Sequence, residues 1–195
     1  MDKLSIKLAT KNDLKFIDSL QKKNSQELSF YPKVTLEREI DLRRIVMAIV
    51  NNDHAGYLYF GAINYGKPVK IHQACIEYDL RGNWYGTGLI QYLEKYVFIS
   101  QADGISLRCR SNILANNFWK LSGFECISVT PGGKMRNADI NTWYKKINND
   151  LFGMQILNTL TPSEKQIDTS EYLKNYKKKD RNKIKKGVPP PSLIY

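Results

Sequence analysis

Histidine is nearly absent from this chain. His54 and His72 are the two it has in 195 residues, which excludes a His-rich metal site. Cysteine is almost as scarce. Cys75, Cys109 and Cys126 form no CxxC or other metal-ligand spacing, and an odd count is no disulfide framework. A reduced, cytoplasmic setting is the expectation. No stretch approaches the roughly 18 consecutive apolar residues of a membrane span. The opening Met1-Asp2-Lys3-Leu4-Ser5-Ile6 lacks the apolar run of a signal peptide, so export is not expected. Acidic residues are also short, 19 against 30 Lys and Arg, for a net charge of +11. That balance favours anionic partners such as nucleic acid, a phosphorylated cofactor or an acidic protein surface. It is equally what solubility requires of a Lys- and Asn-rich composition. What is present is ordinary for a globular domain: 42% apolar and 25% charged residues. A chain of this length encloses a core without disulfide or metal staples.

Strand and helix periods alternate along the sequence. Leu4 to Leu8 alternates apolar and polar, as a half-buried strand does. Thr10 and Asp13 have capping-box spacing, and Leu14, Ile17 and Leu20 follow at helical intervals up to Asn24. A second short helix is expected from Thr35 to Leu42. Arg44 to Val50 and Tyr57 to Ala62 read as a hairpin around Asn51-Asn52-Asp53. Val69 to Tyr78 is a longer strand. Arg81 to Gly88 reads as a loop opening into a helix whose Leu89, Ile90, Leu93, Tyr96 and Val97 share one face. Ile105 to Cys109 predicts a strand and Asn112 to Leu121 a helix closed by Gly123. Phe124 to Val129 and Ile140 to Ile147 are the last strands. The expected order is β-α-α-β-β-β-α-β-α-β-β: an α/β (mixed α+β) domain over residues 1–147, with a central mixed sheet of about seven strands flanked by helices. Residues 148–195 form a C-terminal extension. Its Lys174 to Lys186 run holds seven lysines and Arg181 against Asp180, and leads into Pro189-Pro190-Pro191.

A strand that ends in a glycine-containing loop and enters a helix is suited to phosphate. First-turn N–H groups lack intrahelical partners, and the helix dipole favours an anion there. In Arg81-Gly82-Asn83-Trp84-Tyr85-Gly86-Thr87-Gly88-Leu89 the amides from Trp84 to Leu89 are the candidates to face a pyrophosphate, with Arg81 adding charge. Glycine in such a turn is also common for conformational reasons alone.

The same loop, with a second motif, resembles the GNAT superfamily of coenzyme-A-dependent N-acyltransferases. Arg81-Gly82-Asn83-Trp84-Tyr85-Gly86 is similar to that family's Gln/Arg-x-x-Gly-x-Gly/Ala. Asn112-Ile113-Leu114-Ala115, Phe118-Trp119 and Gly123-Phe124 look like its Asn-x-x-Ala-x-x-x-Tyr-x-x-x-Gly-Phe stretch. The resemblance runs from Leu4 to about Ile147. It implies that acetyl-CoA or another acyl-CoA lies in a splay between the fourth and fifth strands. Backbone groups of Ile76, Glu77 and Tyr78 would line the pantetheine arm, with Asn112 also contacting it. An N–H near Ile76 would polarise the thioester carbonyl. Two positions depart from the pattern. Trp84 replaces the first loop glycine, where it stacks on the cofactor or obstructs it. Trp119 replaces the tyrosine that serves as general acid, and an indole N–H supplies no proton at neutral pH.

An amine nucleophile must lose its ammonium proton, so a base is expected. Glu77 and Asp79 flank Tyr78 at the end of the central strand, and Glu77 is the leading candidate. His72 lies further back and reads more readily as structural. Arg108 and Arg110 project to the face opposite Cys109, where they hold an acidic substrate or are simply solvated. Lys134-Met135-Arg136-Asn137 is a basic loop with the same two readings. The expected function is N-acyl transfer from coenzyme A to a primary amine in a ternary complex. The rivals are a catalytically inactive module that binds nucleic acid, and an acyltransferase for a nucleic-acid-borne amine tethered by the basic tail with its Tyr172, Tyr176 and Tyr195.

Overall fold

The computed structural model describes residues 3–132 and 138–147. The C-terminal extension and the Lys134–Asn137 loop lie outside the described residues. Seven strands form one sheet: β1 (Leu4–Leu8), β2 (Ile45–Val50), β3 (Asp53–Phe60), β4 (Val69–Ile76), β5 (Gly104–Arg110), β6 (Glu125–Thr130) and β7 (Ile140–Lys146). Their order across the sheet is β1-β2-β3-β4-β5-β7-β6. Every neighbouring pair is antiparallel except β4 and β5. The hairpin between β2 and β3 turns on Asn51 and Asn52, both at positive φ (51° and 73°), a conformation Asn tolerates better than most residues.

Four α-helices cover the sheet: α1 (Leu14–Lys23), α2 (Lys33–Asp41), α3 (Tyr85–Ile99) and α4 (Ala115–Leu121). Alternation along the strands separates two cores. Ile17 and Leu20 of α1 and Leu36 of α2 pack with Met47, Tyr57 and Cys75 on one face. Leu89, Leu93 and Val97 of α3 and Trp119 of α4 pack with Leu58 and Leu107 on the other. The amphipathic periods in the sequence correspond to these faces.

Several boundaries differ from the sequence reading: β3 starts at Asp53 rather than Tyr57 and ends at Phe60 rather than Ala62, β4 ends at Ile76 and leaves Glu77 and Tyr78 beyond the strand, and two helix starts next to the candidate site also shift. Helix α3 begins at Tyr85, so Tyr85 to Gly88 form its first turn rather than a loop. Glycine allows close packing there. A Cβ on Gly88 would press on Leu4, and one on Gly86 would lie 3.2 Å from the Phe118 ring. Helix α4 begins only at Ala115, leaving Asn112 to Leu114 in the connection. At its far end Gly123 takes φ 81°, the left-handed geometry of a helix C-terminus.

Candidate active site

The one parallel pairing decides where a ligand can enter. β4 and β5 pair only at Val69–Ile105 and Lys70–Ser106, near their N-terminal ends. Beyond that point the strands diverge, and a cleft of about 640 Å³ opens between them. Ile71 to Ala74 line one side, Leu107 to Arg110 the other, Ile113, Ala115 and Trp119 the α4 side, and Glu27 to Ser29 the α1–α2 connection.

Parting the strands leaves peptide groups without sheet partners. The Glu77 N–H donates to the Ala55 carbonyl of β3 at 2.9 Å. Successive residues of a strand alternate in the direction of their peptide groups, so Ile76 turns its N–H and C=O toward β5. Arg81 Nε donates to the Ile76 carbonyl at 3.2 Å, and its NH2 donates to Asn24 Oδ1 at 2.7 Å. Arg81 thus braces the end of β4 against the C-cap of α1. Its guanidinium also lies over the Tyr78 ring, 5.4 Å from the centroid.

The Glu77 carboxylate, with 27% of the side chain exposed, pairs with Lys23 Nζ at 2.9 Å. Tyr78 is 78% exposed in a short 3₁₀ turn. Gly82 takes φ 83° in the turn that follows, and the Asn83 side chain donates to the Leu80 carbonyl at 3.3 Å. Trp84 takes φ 64° as the N-cap of α3. A left-handed backbone costs a non-glycine residue about 1–2 kcal/mol, which is the conformational reason a glycine suits this position. The Trp84 side chain is 79% exposed and is not among the residues lining the cleft. The Gly88 N–H donates to the Trp84 carbonyl at 3.0 Å, so the Tyr85, Gly86 and Thr87 amides precede the first intrahelical bond. Tyr85 and Leu89 direct their side chains into the core.

Asn112 is exposed between β5 and α4. The neighbouring Asn116, unremarked in the sequence, holds that connection. Its Nδ2 donates to the Arg110 and Ile113 carbonyls at 2.7 and 2.8 Å. Its Oδ1 accepts from Asn141 Nδ2 and Trp143 Nε1, both at 3.0 Å. No local spacing signals the link to Asn141 and Trp143, because those partners lie on β7.

The second wall was also invisible to periodicity. Gln73, buried on β4, donates to the Ser29 carbonyl and to Gln21 Oε1 (3.3 Å) and accepts from Tyr57 Oη at 2.9 Å. Gln21 in turn donates to the Tyr31 carbonyl at 2.8 Å and accepts from its N–H at 3.1 Å. The Arg110 guanidinium donates to the Gln26 carbonyl from the other strand. These bonds hold the α1–α2 connection across the splay.

Titratable groups on the wall divide by environment. His72 stacks on Tyr59 and lies 3.5 Å from Tyr31 Oη. Burial, aided by Lys70, lowers its pKa below the usual 6.5 and favours the neutral ring. Burial raises the Cys75 and Cys109 thiols to about 11, so both remain protonated packing groups. Trp119 is buried against Phe118 and Phe124.

No protein-family model and no curated protein sequence matches the chain. Solved structures do. An acetyltransferase of the GNAT family from Bacillus cereus superposes with a TM-score of 0.61 at 16% identity, covering 75% of this chain and 99% of that one. An aminoglycoside 6′-N-acetyltransferase complexed with coenzyme A gives 0.63 at 16%, covering 74% and 97%. A ribosomal-protein-alanine N-acetyltransferase from Escherichia coli gives 0.62 at 14%, covering 75% and 95%. The divergence of β4 from β5, the helix that starts at the β4 exit and these superpositions agree: the chain has the fold of the GNAT N-acetyltransferases.

Proposed function

We propose that the protein is an N-acyltransferase that moves an acetyl group from acetyl-CoA to a primary amine in a ternary complex. The observation that carries this reading is the open seam between β4 and β5: their pairing stops at Lys70–Ser106, and the Ile76 peptide group turns toward β5 with no strand partner there. The fit of coenzyme A is supported by two features: a cleft of about 640 Å³ between the parted strands, and first-turn amides of α3 at the β4 exit, which lie beyond the residues that line the cleft. In this proposal Ile76, Glu77 and Tyr78 border the pantetheine arm. Gly82, Asn83, Trp84, Gly86, Thr87 and Gly88 surround the pyrophosphate, and Asn112 contacts the arm from the other side.

Bound acetyl-CoA would supply an acyl thioester, whose carbonyl carbon accepts the amine nitrogen as the C–S bond breaks and coenzyme A leaves as its thiolate. The Ile76 N–H donates to the carbonyl oxygen, where negative charge grows, and needs no reorganisation to do so. Arg81 positions that peptide through its bond to the Ile76 carbonyl. Glu77 takes the amine proton through water. Lys23 occupies Oε1 and leaves Oε2 for that role. Trp119 takes no part in proton transfer, so coenzyme A would leave as the thiolate and take its proton from solvent.

Calorimetric titration of acetyl-CoA and turnover with a panel of amines test this reading. Ile76→Pro deletes the N–H while leaving the Glu77–Ala55 bond intact, and Ile76→Val controls for packing. A fall in kcat on the order of 10²–10³ in the proline variant alone is expected for a lost oxyanion donor. Glu77→Gln lowers turnover at neutral pH and spares cofactor binding. Absence of acetyl-CoA binding at millimolar concentration would refute the assignment. Salt-sensitive binding of nucleic acid without cofactor affinity would favour the inactive-module alternative.

A further inference from the structure

We infer that the acceptor is a small amine carrying an oxyanion, a carboxylate or phosphate, recognised by Arg108; this rests on the acyl-transfer reading above. Among the described residues the charged ones lining the cleft are Glu27, Arg108 and Arg110, with His72 favoured as the neutral ring. One carboxylate against two guanidinium groups disfavours a polycation and suits a substrate whose ammonium is matched by an anion.

The two arginines are differently committed. Arg110 spends its guanidinium on the Gln26 carbonyl and ties β5 to the α1–α2 connection. Arg108, two residues earlier on the same face, is exposed and donates to Thr130 Oγ1 at 3.3 Å. Among the described residues it has no carboxylate within ion-pair distance. Leu107 and Cys109, its neighbours in β5, point into the opposite core. Arg108 therefore belongs to the face on which the α1–α2 connection lies. A guanidinium held by one long hydrogen bond keeps most of its planar fork free, and that fork matches carboxylate or phosphate oxygens in pairs.

The experiment compares acceptors that differ only in the anion. Glycine and its amide form one pair, phosphoethanolamine and ethanolamine another, and 1,4-diaminobutane represents the polycations. With acetyl-CoA as donor, KM for at least one oxyanion-bearing member is expected to lie tenfold or more below that of its neutral partner. Arg108→Ala removes the difference with kcat within about twofold, and Arg108→Lys restores part of it. The two pairs distinguish carboxylate from phosphate. Preference for the diamine, or discrimination unchanged in Arg108→Ala, overturns the inference. Binding of N-acetylglycine against its amide, followed by tryptophan fluorescence, and of inorganic phosphate gives an Arg108-dependent readout independent of turnover. Failure of acetyl-CoA to bind defeats the acyl-transfer reading. Retained cofactor binding without anion discrimination defeats this inference alone.

Discussion

Gly56 shows how a single missing side chain sets the site. It lies opposite Ile76 in the β3–β4 register. A Cβ there would collide with the Cys75 carbonyl and with Ile76 itself, so only glycine allows β3 to approach so closely. Gly56→Ala is expected to displace the end of β4 and cost about 1–3 kcal/mol, as overpacking does. Chemical denaturation checks the stability. Acetyl-CoA titration of the folded variant should show weakened binding, and unchanged affinity would mean that the Ile76 peptide does not border the cofactor. Arg81 carries a related lesson. From its loop position it reads as a cation for phosphate, yet its donors hold the Ile76 carbonyl and Asn24. Sequence specifies the charge, and the folded chain decides where it goes.

At the scale of elements, the α1–α2 connection becomes a cleft wall because side chains from two strands hold its backbone. Gln73 is central to it, joining Tyr57, Gln21 and the Ser29 carbonyl. Gln73→Leu keeps the volume and removes the bonds, leaving buried polar partners unsatisfied at a cost of about 1–3 kcal/mol. Faster amide hydrogen exchange over residues 24–32, with exchange in β5 and β7 unchanged, is the expected signature. Uniform loosening of the sheet would contradict a local role. The elements themselves were largely legible, because alternation in β1 and the helical spacing of Leu14, Ile17 and Leu20 are local patterns. The starts of α3 and α4 were less legible, and the residues around them meet partners distant in the chain: Gly88 lies against Leu4, Gly86 against Phe118, and Asn116 reaches Asn141 and Trp143.

Among the described residues, three buried carboxylates link folding to pH across the whole molecule. Burial by itself would raise Asp13, Asp18 and Glu39, but their partners more than offset it, and all three sit below the usual carboxylate range. Asp13 accepts from Thr10 N–H at 2.7 Å and lies 2.7 Å from His54 Nε2. Asp18 is flanked by Lys22 and Lys33, and Glu39 accepts from Arg38 and Arg44. A depressed folded pKa adds stability that is full above the unfolded value of about 4 and lost as pH falls through the folded value. Thermal midpoints should therefore drop steeply below about pH 4. Glu39→Gln should lower the midpoint at pH 7 and narrow its gap to the parent chain as the pH falls. A constant gap from pH 7 to pH 2.5 would exclude the linkage.

Sequence alone determined what depends on near neighbours and on composition. Strand and helix periods, the Thr10–Asp13 cap, the Asn51-Asn52 hairpin turn and the order of elements follow from local sterics and from which faces must be buried. The splay entered only as what the resemblance carried by the two spaced motifs implied. Only the tertiary structure decided which groups face the seam between β4 and β5. Pairing direction turns Ile76 toward it, Arg81 and Lys23 engage Ile76 and Glu77, and Asn116 and Gln73 shape its walls. Those partners are distant in the chain, and a contact between distant residues leaves no period in the sequence.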